Sequence, residues 1–479
     1  MTDATVPRDF LVANGIDENT GDYLTPKVPL AQMAGALRGD LVPEDRDLRR
    51  RKQDDEDHFG VVYGRDPEKL GSVGWGVVIP PDLDPAVVEA LEPLLRLREE
   101  QSGDLFRRLD VHAGEDKDDF LARFGMGPSV VDPRKVPYYL LLLGSPDQIP
   151  FDFQYQLGVS YAVGRLDLEE PGAYAAYAAS VVASERSLDA GSDAAPTTHR
   201  LHLFATRHPG DTPTALSATR LVEPLNDELR GATQAWELSA DIGVDATRTR
   251  LADLLTGTAA PDLLFTATHG VGGRSAHRDL AGALVCQDWP GPLAGRGPVD
   301  EAHYLAARHL PADAAVMPKI IFSFACFGAG TPQVSDYPGG PDGEGELAET
   351  GFTARLPQRL LGARAGGALA FVGHVDRAWS CSFLWKGLEA QVTPFYSTML
   401  ALMDGARLGS AMESLTSRYA EIATELTRRL DGYRRLGKRI DDADLVGLWT
   451  ATHDARAQVV LGDPAIRVAT RGSAGLHAG

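Results

Sequence analysis

Cysteine is scarce in this chain, positive charge is in deficit, and long apolar runs are missing. Three cysteines occur, Cys286, Cys326 and Cys381. They are too few for a closed disulfide framework, and no Cys-x-x-Cys spacing offers a zinc site. Acidic residues outnumber basic ones, 67 against 47, for a net charge of -20 and a pI near 5.0. A phosphate backbone calls for clustered Lys and Arg, so nucleic acid is not expected as a direct partner. No apolar run reaches the roughly 18 residues of a membrane span. The opening residues, MTDATVPRDFLVANG, lack the basic-then-apolar order of a secretory signal. These absences lead to the expectation of a soluble, cytoplasmic protein in a reducing setting. No Gly-x-Ser-x-Gly elbow is present, which counts against a serine α/β-hydrolase. The stretch Gly432 to Arg439 approaches a phosphate loop, but Arg439 stands where Ser or Thr is required and no apolar strand precedes it. Histidines such as His303 and His309 show no metal-ligand spacing with a nearby Glu. No metal and no cofactor are expected.

What is present is an ordinary globular composition, 43% hydrophobic, which allows a large core. Residues 1–57 are polar and end in the charge block Asp47–Asp57, which reads as an N-terminal extension and a candidate pro-segment. Residues 58–195 read as a smaller α/β subdomain. It contains a helix over Asp84–Arg98, with Asp84 as N-cap and Pro85 at the first helical position. The apolar run Tyr138–Leu143 and the segment Val159–Val163 read as strands, and Gly172–Arg186 as a helix. Leu188–Thr198 is small, polar and Pro-containing, and reads as a linker. Residues 196–479 then alternate strands, at Arg200–Thr206, Thr233–Ser239, Asp262–Thr268, Lys319–Ala325, Gly367–Gly373 and Gln458–Val468, with helices. That alternation predicts an α/β fold, a mostly parallel sheet flanked by helices.

Two apolar strands end in reactive residues. Leu263–Thr268 runs into His269-Gly270, and Ile320–Ala325 runs into Cys326-Phe327-Gly328. In open α/β sheets, sites form beyond the carboxyl ends of the strands. If the two strands are neighbours, imidazole and thiol emerge side by side. A thiol attacks a peptide carbonyl as its thiolate, and a nearby imidazole supports ionisation and protonates the leaving amine. The tetrahedral intermediate needs backbone donors, for which the N–H groups of Gly270 and Cys326 are the candidates. A lone cysteine at a strand end is by default a small core residue. Cys286 and Cys381 keep that reading.

A strand ending in His-Gly followed by one ending in Ala-Cys-x-Gly resembles the caspase-like clan of cysteine peptidases, which includes caspases, gingipains, separase and the bacterial CHAT proteases. The order of landmarks is most similar to the gingipain family, over about residues 138–468. Tyr161–Leu166 resembles its Ile-Gly-Arg strand end, Thr268-His269-Gly270 its Gly-His-Gly, and Phe324–Gly328 its Val-Ala-Cys-x-Gly. Gly367–Gly373 followed by Trp379 resembles the next strand and the tryptophan lining its specificity pocket, and Val460–Ala465 resembles its closing Phe-Gly-Asp-Pro. The resemblance implies a caspase-like (caspase-hemoglobinase) fold with a preceding α/β subdomain. It also implies an endopeptidase with Cys326 as nucleophile and His269 as general base. A glutamate that supports the histidine in some gingipains has no match near Thr206-Arg207-His208, so a two-residue dyad is expected. Candidate substrate-pocket residues are Trp379, Asp376 and Asp211. A pocket carboxylate would favour a basic residue at the cleavage position, although Arg377 would favour an acidic one. With a basic preference, Arg49-Arg50-Arg51-Lys52 becomes a self-processing site. The expected partners are a protein or peptide substrate and a regulatory activator, in a setting such as bacterial defence or cell death. The rival readings are a catalytically silent scaffold and a thiol hydrolase or transferase acting on a non-peptide acyl group.

Overall fold

The computed structural model describes residues 13–23, 34, 60–127, 130–190, 198–233, 235–272, 278–293, 297–337, 345–385 and 389–470. Ten strands make one continuous sheet. In chain order, with the short strand β1 (Gly15–Ile16) preceding them, they are β2 (Trp75–Ile79), β3 (Phe106–Asp110), β4 (Tyr139–Leu143), β5 (Ala162–Leu166), β6 (His199–Ala205), β7 (Trp236–Ile242) and β8 (Leu263–Ala267). After the short strands β9 (Gly270–Val271), β10 (Leu284–Val285) and β11 (Tyr304–Leu305) comes β12 (Ile320–Phe324). The short pair β13 (Gly330–Thr331) and β14 (Phe352–Thr353) precedes the last two, β15 (Ala370–His374) and β16 (Gln458–Gly462).

The order across the large sheet is β3-β2-β4-β5-β16-β15-β12-β8-β6-β7. Every neighbouring pair is parallel except β15 with β16. The sheet therefore has two halves of opposite direction, joined at β16. The expected α/β sheet is present, and strands that precede and follow Leu188–Thr198 in the chain share it. Among the described residues no helix is long and apolar enough to cross a membrane.

Strands β4, β8, β12 and β15 are short apolar runs because helices cover both faces, and each of them is buried throughout. Phe265 on β8 and Phe322 on β12 stack at 5.1 Å, and Phe395, from the helix Thr393–Met403, packs edge-on against both. Strands β2 and β3, on either side of the helix expected over Asp84–Arg98, are additional to the strands expected from the sequence. The edge strand β3 (FRRLD) carries charge and alternates only weakly, as edge strands do. The strand expected at Val159–Val163 lies at Ala162–Leu166, and an additional helix occupies Asp442–Arg456.

The turn after β16 ties the halves together. Asp463, fully buried, accepts from Trp75 Nε1 at 2.9 Å and from Arg98 Nε at 2.7 Å, and Arg98 also pairs with buried Glu185 at 3.4 Å. Burial alone would lower the Arg98 pKa, and the two carboxylates more than reverse that. Tyr177 accepts from the Asp463 N–H at 2.6 Å and donates to the Leu369 carbonyl at 2.7 Å. Thus Asp463 joins the helix Pro85–Ser102 to the sheet. Replacing Asp463 by alanine leaves Arg98 with a reduced counter-charge in the core, and a loss of about 3–5 kcal/mol is expected in urea unfolding.

Candidate active site

Strands β8 and β12 are parallel neighbours in the register Ala267↔Phe324. Both continue for two residues beyond that pair, which brings His269 and Cys326 to the same sheet edge. The chain then turns sharply. Phe327, directly after Cys326, takes a left-handed φ of 55°, and its N–H donates to the Asp376 carbonyl at 2.6 Å. A non-glycine residue in that region is uncommon and is held there by its surroundings. Gly270 is required by close approach, since a Cβ there would stand 1.8 Å from the Cys326 carbonyl oxygen.

His269 and Cys326 are both fully buried. The Cys326 thiol accepts from the Ala378 N–H at 3.3 Å. Burial pushes it up to about 12, opposed by that hydrogen bond and by Arg377. At neutral pH it is therefore a thiol and not a thiolate in this state.

The histidine has a carboxylate partner. His269 Nε2 lies 2.8 Å from Asp211 Oδ2. Asp211 also accepts from Tyr23 Oη at 2.6 Å and from the Thr214 hydroxyl and backbone N–H. Burial would raise the Asp211 pKa, but the charge of His269 and the hydrogen bonds from His269, Thr214 and Tyr23 hold it at about 2. An ionised carboxylate can only accept, so Nε2 of His269 carries a proton, and in the neutral ring the lone pair lies on Nδ1. Nδ1 is buried and has no hydrogen-bond partner among the described residues. His208 lies alongside at 6.3 Å, bonded through Nδ1 to the Trp289 carbonyl at 2.9 Å. Burial, reinforced by His269, drops His208 to about 4 and keeps it neutral.

Where the sequence led to the expectation of a two-residue dyad, the structure sets a carboxylate, Asp211, against His269. Asp211, first considered for the substrate pocket, is spent on His269. Its sequence signal was that of a helix cap, Asp-Thr-Pro-Thr, and its side chain does cap the helix Thr212–Leu216. Asp376, the other pocket candidate, is buried at a φ of 69°, and its carboxylate is held by Ser335 at 2.7 Å and Arg377 at 2.9 Å. Trp379 packs its ring 5.0 Å from Tyr337, and its backbone N–H donates to Asp454 at 2.8 Å. The processing site considered at Arg49–Lys52 lies outside the described residues.

Sequence reasoning missed the part of the site contributed by the N-terminal segment. The N–H groups of Gly270 and Cys326 both point at one atom, the carbonyl oxygen of Asn14, at 3.0 and 2.8 Å. Asn14 donates its own N–H to the Ala378 carbonyl at 3.0 Å, and Ala13 bridges Trp379 in antiparallel sense. Downstream, β1 runs parallel to β9, with Gly15 opposite Gly270 and Ile16 opposite Val271. No pattern in LVANGID announces this role.

No family model matches the sequence, and no curated protein matches it. Among solved structures the chain is similar to one described as a protease, at 12% identity and a TM-score of 0.47, over 82% of this chain and 78% of that one. It is also similar to the complex of Porphyromonas gingivalis RgpB pro- and mature domains, at 11% identity and a TM-score of 0.44, covering 82% and 79% of the respective chains. A third is the Arg-specific cysteine proteinase gingipain R, at 12% identity and a TM-score of 0.42, covering 82% and 78%. The likeness lies in the course of the chain.

Proposed function

We propose that this chain is a cysteine endopeptidase with Cys326 as nucleophile, His269 as general base and acid, and Asp211 as the group that positions the histidine. One observation carries the reading. Two backbone N–H groups converge on a single peptide carbonyl oxygen, and one of them belongs to the residue that bears the thiol. Such a pair of donors is what the oxyanion of acyl transfer needs, and losing one is typically worth about 10²–10³ in rate.

The chemistry follows from the side chains. His269 Nδ1 carries the lone pair and takes the thiol proton as sulfur attacks the carbonyl carbon. Charge develops on the carbonyl oxygen, where Gly270 and Cys326 donate. The imidazolium then hands its proton to the departing amine, with Asp211 stabilising its positive charge. Water hydrolyses the thioester by the reverse use of the same groups.

A positional-scanning library of fluorogenic peptides tests the proposal. Turnover is expected from the wild-type chain. Absence of turnover from both the full chain and a chain lacking residues 1–14 would overturn it.

A further inference from the structure

We infer that Asn14–Gly15 is a bond this site cuts in its own chain, and that the pocket beneath Asn14 selects asparagine in other substrates. The inference rests on the thiol-peptidase reading of the same site and goes on to its substrate and its control.

The segment lies in the site as a substrate would. The Asn14 carbonyl occupies both oxyanion donors, and its N–H is fixed by Ala378, the residue whose N–H also meets the Cys326 sulfur. That places the Asn14 carbonyl carbon as the point of attack and Gly15 nitrogen as the leaving group. The Asn14 side chain is fully buried. Its Nδ2 donates to Ser217 Oγ at 3.2 Å and toward the Thr268 carbonyl at 3.4 Å. Ser217 spends its own proton on the Thr214 carbonyl at 3.2 Å, so it faces Asn14 as an acceptor. Two acceptors suit an amide N–H₂ and repel a carboxylate. Asn14 Oδ1 is buried with no partner among the described residues, so the N–H side carries the recognition. Both carboxylates considered for a basic substrate are engaged elsewhere, Asp211 by His269 and Asp376 by Ser335 and Arg377.

The Gly15 side of the bond is anchored independently of Asn14. Ile16 is fully buried in a satellite core with Val271, Val285, Trp289 and Tyr304. The loop after it is pinned by Asp17, which accepts from the N–H groups of Asn19 and Thr20, and by Tyr23 on Asp211. Cleavage would therefore leave Gly15 onward in place and make residues 1–14 a product, whose release uncovers the thiol.

The step balances with water as the co-reactant. Sulfur bonds to the Asn14 carbonyl carbon, the bond to Gly15 nitrogen breaks, and His269 supplies that nitrogen with the thiol proton. Water then cleaves the thioester, giving an Asn14 carboxylate and restoring the thiol.

The test is incubation of the full chain, followed by intact mass and N-terminal sequencing, for wild type, Cys326→Ala and Asn14→Asp. A new N-terminus at Gly15 is expected in wild type. Cys326→Ala should show none, which also separates cleavage from the spontaneous chemistry of Asn-Gly bonds. Asn14→Asp should cut at least about tenfold more slowly, because a site built to receive an N–H discriminates strongly against a group without one. Turnover of a fluorogenic Leu-Val-Ala-Asn peptide should rise at least about tenfold on processing, because a tethered occupant competes at roughly millimolar effective concentration. The arginine counterpart should be turned over at least about tenfold more slowly than the asparagine peptide. Cys326-dependent turnover of arginine or lysine peptides, with no Gly15 terminus, overturns this inference and leaves the peptidase reading standing. No self-cleavage and no turnover of any peptide, even with residues 1–14 deleted, overturns both.

Discussion

Cys326→Ala is expected to bring peptide cleavage down by at least about 10⁴-fold, to what oxyanion donors and substrate binding alone supply. The alanine side chain fits the space, and the backbone N–H of residue 326 stays on its carbonyl, so folding and substrate binding are expected to persist. Matched urea unfolding of the two proteins checks that the loss is chemical. Undiminished turnover in the variant would assign the nucleophile elsewhere.

Asp211→Asn is expected to lower kcat by about 10²–10⁴-fold with a much smaller change in KM. The physical cause is a proton in the wrong place. The carboxylate, held at about 2, is ionised throughout the neutral range and forces the His269 proton onto Nε2. An asparagine amide can donate to Nε2 instead, which moves the ring proton to Nδ1 and removes the base. The sign of the pH effect follows. Because Asp211 stays charged until pH falls toward 2, it contributes no acid limb between about pH 4 and 8 in the wild type. In the variant, whatever activity remains should rise with pH, as hydroxide takes over removal of the thiol proton. Loss of Tyr23 and Thr214 contacts is a side effect, and the split between kcat and KM distinguishes it, since a merely loosened site would raise KM as well.

Much of the sheet edge that carries His269 and Cys326 was legible in the sequence because its strands are short, largely apolar and buried. LLFTAT before His269 and IIFSFA before Cys326 read as buried strands, and their adjacency, a condition in the sequence, is met in the register Ala267↔Phe324. Gly270 was read from the sequence as a backbone donor after His269, whereas the close approach to the Cys326 carbonyl that excludes a Cβ there comes from the structure. The closing Gly462-Asp463-Pro464 was legible as a landmark, whereas its physical role, a counter-charge for Arg98, depends on a contact between positions far apart in sequence. Asp211 was noticed for the wrong reason. Its cap signature is local, and the imidazole it holds belongs to another strand. Asn14 was not legible at all. A short segment with little periodicity acquires its role only when tertiary structure lays it across two strand ends, and local pattern carries no information about such pairing. The edge strand β3 was missed because a charged edge does not read as an apolar run.

The most direct test of the central claim is active-site labelling with peptidyl acyloxymethyl ketones, mapped by mass spectrometry on the chain lacking residues 1–14. The account predicts an adduct on Cys326, strongly reduced in His269→Ala and absent from Cys286 and Cys381. An unmodified Cys326, or labelling that ignores His269 and spreads across all three cysteines, would contradict it.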